Sequence, residues 1–96
     1  MALKNQLKHV KGKDCGEIIV YALSTCQWCN KTKALLKDLK IDYDYIDVDK
    51  LSKSEEKELN ELFKQMKLDM NFPVIVINDS QVIVGFQEDK IRKLKK

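Results

Sequence analysis

Cys26-Gln27-Trp28-Cys29 stands between an apolar run, Ile18 to Leu23, and an amphipathic segment, Trp28 to Lys40. No other feature constrains the fold as strongly. Ile18-Ile19-Val20-Tyr21-Ala22-Leu23 is β-rich and continuously apolar, as expected of a central strand covered on both faces. In the segment that follows, Trp28, Leu35, Leu36 and Leu39 recur with helical spacing, and the lysines fall mainly on other faces. Cys26 therefore falls where a helix begins. Its free backbone N–H groups and the positive end of its dipole both favour a thiolate over a thiol. Cys29 lies about one turn on, so its sulfur returns to the same end and can close a short disulfide with Cys26. Thr25 is placed to cap the first turn, and Lys31 and Lys33 add positive charge that solvent screens where it is exposed.

The remaining chain leaves room for one core. Ninety-six residues with 44% hydrophobic content suit a single small domain, and one Pro and three Gly argue against a disordered or linker-rich chain. A formal charge of +3, made of lysines scattered among acids, lacks the basic stripe with interleaved aromatics that nucleic acid would call for. The stretch from Met1 to Val10 has no apolar h-region, so no secretory signal is expected. The longest apolar runs, Ile18–Leu23 and Phe72–Ile77, are strand-sized and too short to span a bilayer. The expectation is a cytoplasmic monomer without a membrane segment. In that reducing compartment a close cysteine pair is more at home in catalysis or metal binding than as a structural bridge.

In chain order, residues 1–16 read as an extension before a domain over 17–96. Leu3 and Leu7 share a helical face, while Leu7, His9 and Lys11 alternate as in a strand, and both readings stay open. Gly12 and Gly16 bracket Lys13-Asp14-Cys15 and mark a turn. After the first strand and helix, Tyr43 to Val48 forms a second strand parallel to the first. Ser52-Lys53-Ser54-Glu55 is a capping box opening a helix with Leu59, Leu62, Phe63 and Met66 as its apolar stripe. Phe72 to Ile77 gives a third strand, turned by Asn78-Asp79-Ser80 into a fourth, Gln81 to Val84. A last helix, Glu88 to Leu94, turns Ile91 and Leu94 inward and ends in the lysine-rich tail Lys93-Leu94-Lys95-Lys96. Asp42, Asp44, Asp47 and Asp49 read as a solvated strand edge.

A C-x-x-C at such a junction is the signature of a thioredoxin-like redox site. With Tyr21-Ala-Leu-Ser-Thr-Cys-Gln-Trp-Cys29, Tyr45-Ile-Asp-Val-Asp49, Phe72-Pro-Val74 and Val84-Gly-Phe-Gln-Glu-Asp89, the order β-α-β-α-β-β-α resembles glutaredoxin over residues 17 to 94. The resemblance implies an α/β thioredoxin-like fold with a four-stranded mixed sheet flanked by helices. It implies Cys26 as nucleophile and Cys29 as resolving thiol, with no cofactor beyond their redox-active disulfide. Pro73 should be a cis-proline facing that disulfide, with Phe72 beside it offering its backbone to an extended substrate segment. Gln27, Trp28, Gly85, Phe86 and Asp89 complete the expected substrate-binding set. Trp28 is read as contact area for a partner, with core filler as the alternative, and Gln27 also suits a simple turn.

Departures from the family pattern narrow the expectation. Gln27-Trp28 replaces the usual Pro-Tyr, Leu23 stands where a lysine generally holds a glutathione carboxylate, and Asn71-Phe72-Pro73 replaces Thr-Val-Pro. Gly85-Phe86 replaces the Gly-Gly turn that lets glutathione approach. A Gly-Phe there is similar to the glutaredoxin-like redoxins that donate electrons to ribonucleotide reductase and behave like thioredoxin, and related chains occur in methanogenic archaea. The expected activity is reduction of protein disulfides, with recharging by thioredoxin reductase or a ferredoxin-linked reductase rather than by glutathione. Four rivals stand beside it: a glutathione-dependent glutaredoxin, an Fe–S cluster shared by two protomers, a zinc site, and a non-enzymatic adaptor whose cysteine pair is incidental. His9, Cys15, Cys26 and Cys29 make a Cys₃His set by count. Cys15 and Cys26, however, bracket a strand and should lie about 20 Å or more apart. Cys15 is then a small apolar residue or an inert thiol.

Overall fold

The computed structural model describes residues 7–68 and 71–95. The chain runs β1 (Lys8–Val10), β2 (Ile18–Ala22), α1 (Gln27–Asp38), β3 (Tyr43–Asp47), a 3₁₀ turn (Val48–Lys50), α2 (Lys53–Gln65), β4 (Val74–Ile77), β5 (Gln81–Val84) and α3 (Glu88–Arg92). One mixed sheet holds the strands in the order β1-β3-β2-β4-β5. β2 and β3 pair in parallel across the α1 crossover, with Ile19 opposite Asp44 and Ala22 opposite Asp47. The other three pairings are antiparallel. All five residues of β2 are buried, as its unbroken apolar run requires of a strand with helices on both faces.

The alternation of side chains divides the core in two. Ile18, Val20 and Ala22 of β2 face α1 and α3, packing with Leu35, Leu36 and Ile91. Ile19 and Tyr21 face α2, packing with Leu59 and Phe63. The Tyr21 and Phe63 rings meet edge to face at 5.2 Å. α2 opens on the expected capping box, in which the Ser52 hydroxyl accepts from the Glu55 N–H and the Glu55 carboxylate from the Ser52 N–H. Both long helices end in Schellman turns, with lysine rather than glycine in the left-handed position. Lys40 has φ 59° and Lys67 φ 56°, and Ile41 and Leu68 donate back to Leu36 and Phe63.

The sheet has five strands, not the four expected. The added strand is β1, where Lys8 faces Tyr45, His9 faces Asp44 and Val10 faces Tyr43. It covers the edge of β3, whose backbone groups would otherwise be an open template for pairing. Of the two readings for the extension, residues 8–10 take the strand; Leu3 lies outside the described residues. Lys96 of the tail also lies outside them.

Gly12 to Gly16 is more than a turn. Lys13 forms a parallel bridge with Ile41, and a Cβ on Gly12 would come within 2.6 Å of the Ile41 carbonyl carbon. Glycine is needed there because two backbones touch. The turn itself is at Asp14 to Gly16, where the Asp14 carboxylate accepts from the Gly16 N–H at 3.0 Å. The Asn78-Asp79 hairpin also forms as expected, both residues adopting positive φ as a type I′ turn demands.

Candidate functional site

Helix α1 starts one residue earlier than its apolar spacing implies, and this changes the cap. Cys26, not Thr25, is the N-cap, in extended conformation with its sulfur accepting from the Cys29 N–H at 3.2 Å. One of the helix's orphan donors is thereby aimed at the sulfur of Cys26. The two thiols differ in access. Cys26 is partly exposed, whereas Cys29 has 0% exposure and sits in the core beneath it. Burial, reinforced by the Cys26 sulfur alongside, pushes the Cys29 thiol up to about 12, with the Leu23 backbone and Lys33 acting in the opposite direction.

Trp28 lies outside the apolar stripe to which its spacing assigned it. The buried face of α1 is Cys29, Thr32, Leu35 and Leu36, and Trp28 is 55% exposed. Its ring lies 5.5 Å from that of Phe86, tilted by 31°, and the Lys31 ammonium sits 4.5 Å from the indole centroid. The core-filler alternative is thus excluded. Thr32 fills the inward position, its hydroxyl donating to the Trp28 carbonyl at 2.9 Å.

The Phe72–Pro73 peptide bond is cis. Phe72 packs against both halves of the core, the cluster holding Cys29 and the cluster beneath α2. The Pro73 carbonyl accepts from the Gly85 N–H at 2.7 Å, which ties the segment before β4 to the turn after β5. Gly85 has φ 79°, a left-handed conformation that suits glycine. Cys26, Phe72 and Phe86 thus meet on the core cluster that contains Cys29, with Trp28 joined through Phe86. Gln27 and Asp89 are exposed in the first turns of α1 and α3. Leu23 packs on the α2 side of the sheet.

Two anchors behind the site escaped the sequence reading, because Asp42 to Asp49 looked like a solvated edge. Every acid in that run has a partner. Asp49 accepts from both the N–H and the hydroxyl of Ser24, and these bonds hold its carboxyl below the usual range. Ser24 lies in the loop between β2 and Cys26, so Asp49 fixes the approach to the cysteine pair. Asp47 pairs with Lys33 of α1 at 3.0 Å, and Lys33 also lies 4.2 Å from the Tyr45 ring centroid. Asp42 and Asp44 both reach the imidazole of His9. The signal that could have found them was the lysine one turn after Cys29, opposite acids in the parallel strand.

The cysteine and histidine count does not form a cluster. Cys15 precedes β2 and Cys26 follows it, and Cys15 is a buried apolar residue at 3% exposure. Among the described residues no group of three or more His, Cys, Asp or Glu side chains is placed to hold a metal ion. Among them, too, no helix is long and apolar enough to cross a membrane.

Comparison with known proteins agrees with this geometry. Residues 18–82 match the glutaredoxin family model. The structure superposes on a glutaredoxin from Methanosarcina mazei Go1 with a TM-score of 0.79 and 47% identity, over 92% of this chain and 85% of that one. Methanoredoxin from Methanosarcina acetivorans gives a TM-score of 0.78 and 41% identity, over 88% of each chain. An uncharacterised glutaredoxin-like 8.6 kDa protein of the rubredoxin operon of Clostridium pasteurianum is 42% identical over 78 residues, 80% of this chain and 95% of the relative. With the family model spanning residues 18–82 and these relatives at least 41% identical over most of their length, the chain is a member of the glutaredoxin family and a thiol–disulfide oxidoreductase.

Proposed function

We propose that this redoxin reduces protein disulfides through Cys26 and Cys29 and is recharged by a reductase enzyme rather than by glutathione. The observation that carries the reading is the unequal placement of the two thiols, Cys26 accessible at the N-cap and Cys29 fully buried behind it. The Cys26 thiolate attacks one sulfur of a substrate disulfide and expels the other as a thiolate, which takes up a proton. Cys29 then loses its proton and attacks the Cys26 sulfur. The second substrate sulfur leaves as a thiolate and takes up a proton, so two electrons and two protons have passed to the substrate and the protein is left oxidised as the Cys26–Cys29 disulfide. The exchangeable disulfide is the redox group, and no dissociable cofactor takes part.

The surroundings favour a protein substrate. Exposed Trp28, backed by the partly buried Phe86 ring, forms an aromatic platform at the nucleophile, the kind of rigid apolar area on which partners dock. Phe72 and Pro73 supply the neighbouring backbone, and Gln27 and Asp89 flank it. A glutathione site needs a cation for the peptide carboxylate and space for its backbone. Leu23 carries no charge, and the Phe86 ring lies against Trp28 where a second glycine would leave room. Ribonucleotide reductase is one candidate target, and a thioredoxin-type or ferredoxin-linked reductase the donor. A pair that must be reduced each cycle suits a cytoplasmic monomer.

The test is turnover of the oxidised protein with insulin as substrate, driven by each candidate reductase and, separately, by glutathione with glutathione reductase. Brisk reduction with a reductase and little with glutathione supports the proposal. The reverse order returns the chain to the glutathione-dependent glutaredoxins.

A further inference from the structure

Cys29 presents a chemical difficulty for any mechanism in which it resolves a mixed disulfide. It must act as a thiolate, yet it is completely buried and its proton is held tightly. A charge is needed nearby, and the fold provides one. Lys33 follows Cys29 by four residues on α1, one turn along the same side of the helix. Its side chain is only 19% exposed, and its ammonium is held by Asp47 of β3 at 3.0 Å and by the face of Tyr45 at 4.2 Å. A cation so enclosed is less screened than a surface lysine.

We propose that Lys33 is a positioning residue for the resolving step, its enclosed positive charge stabilising the Cys29 thiolate, with Asp47 moderating that charge. This inference rests on the reading of Cys29 as the resolving thiol. The groups around Cys29 are consistent with it. Cys26 lies beside it on α1, and Lys33 acts on it in the direction of the thiolate. From β3, Tyr43, Tyr45 and Asp47 face the same side of the sheet. The β2 and β4 residues on that face, Ile18, Val20, Ala22, Ile75 and Ile77, are uncharged. The charged residues of α3, Glu88, Asp89, Lys90 and Arg92, are exposed, and Ile91 alone of that helix is buried. Among the described residues, Lys33 is therefore the cation built into this side of the core.

The step can be isolated with 5,5′-dithiobis(2-nitrobenzoate) on the fully reduced protein. Attack by Cys26 releases one thionitrobenzoate and leaves a mixed disulfide. Attack by Cys29 on the Cys26 sulfur releases a second and closes the intramolecular disulfide. The ratio of second-phase to first-phase rate, followed against pH, reports resolution alone. A tenfold fall in thiolate population slows attack by only about threefold, because a more basic thiolate is also a better nucleophile. Lys33→Met is expected to lower the ratio about threefold near neutral pH and to displace the second-phase pH profile upward. Lys33→Arg should hold the ratio within about twofold of the parent. Asp47→Asn should raise it, since the same lysine then acts without its counterion.

Each outcome is decisive. A ratio unchanged in Lys33→Met overturns the assignment. So does a ratio lowered equally by Asp47→Asn, which would reduce the ion pair to a strut between α1 and β3. If Lys33→Met fails to fold, the direction of the Asp47→Asn change decides alone: raised supports the assignment, lowered or unchanged overturns it. Failure of the parent protein to release a second thionitrobenzoate would instead remove Cys29 from the resolving role, a distinct result.

Discussion

The corner that carries the cysteine pair and the outer edge of the sheet at β1 are held by opposite means. At the corner, Cys29 and Phe72 are locked by apolar packing, and the Pro73 carbonyl to Gly85 N–H bond at 2.7 Å fixes the backbone behind them. At the edge, a three-residue strand is held by exposed polar contacts, His9 lying between Asp42 and Asp44 at 2.8 and 2.7 Å. Packing of the first kind persists across pH and salt, whereas exposed ion pairs are screened and titrate. The difference teaches where the molecule can change without losing its chemistry. Perturbing the corner should alter reactivity and spare the fold. Perturbing the edge should do the reverse.

The largest effects belong to the cysteines. Cys26→Ser should abolish disulfide reduction, a loss of at least about a thousandfold, because a hydroxyl cannot act as the exchanging sulfur. Cys29→Ser should keep the first attack and accumulate a mixed disulfide, seen as a mass adduct on Cys26. Cys15→Ser, by contrast, should retain activity while lowering stability by about 1–2 kcal/mol, because it places a hydroxyl in the core. An inactive, fully folded Cys15 variant would break the separation between corner and core.

Specificity should respond next. Leu23→Lys combined with Phe86→Gly supplies a cation and removes a ring. A charge-assisted contact is worth about 1.5–3 kcal/mol, so glutathione-coupled turnover of a small mixed disulfide should rise roughly tenfold to a hundredfold. Thermal unfolding of the double variant should stay close to that of the parent, as both positions are only partly buried. No gain in glutathione coupling would show that something besides these two residues excludes the tripeptide.

Gly12→Ala tests the other side of the comparison. Its Cβ would meet backbone at Ile41, Asp42 and Lys40 within 2.6 to 2.8 Å. None of the three is a flexible side-chain tip, so the β1 connection must shift. Overpacking of this kind costs about 1–3 kcal/mol. Denaturant unfolding should record that loss, with insulin reduction per folded molecule unchanged.

How legible each region was in the sequence follows from the same contrast. Apolar periodicity and local turn chemistry write themselves into short windows. Ile18 to Leu23 foretold a buried central strand, Ser52 and Glu55 a capping box, and Asn78-Asp79 a hairpin turn, and all three formed. The cysteine pair was legible because its chemistry requires a fixed spacing. β1 was legible only as one of two open readings, since three residues, of which only Val10 is partly buried, carry too little pattern to decide, and its pairing joins His9 to acids more than thirty residues away. Trp28 misled for a physical reason. Helical periodicity shows that a residue has a preferred side, not which neighbour waits there, and Phe86 drew the ring outward from the core. The acids from Asp42 to Asp49 looked idle for want of tertiary partners, which only the crossover geometry supplies.

The smallest expected effect is also the most diagnostic of the edge. Both imidazole nitrogens of His9 face carboxylates, and the hydrogen bond it donates to Asp44 foremost, with the charges of Asp42 and Asp44, raises its pKa above 6.5. A folded-state value above the unfolded one means that the stabilisation is fully present below about 6.5 and is lost as pH climbs through the raised value. β1 should therefore loosen from mildly acidic to mildly alkaline solution while the cysteine corner stays packed. Amide exchange, corrected for its intrinsic pH dependence, should show protection at the β1 and β3 pairing falling across that window, with β2 and β4 unaffected. His9→Gln should flatten the dependence, since a neutral amide gains and loses no charge. Protection at β1 that tracks pH identically in the parent and in His9→Gln would mean that backbone pairing and the Gly12–Ile41 contact hold the edge by themselves.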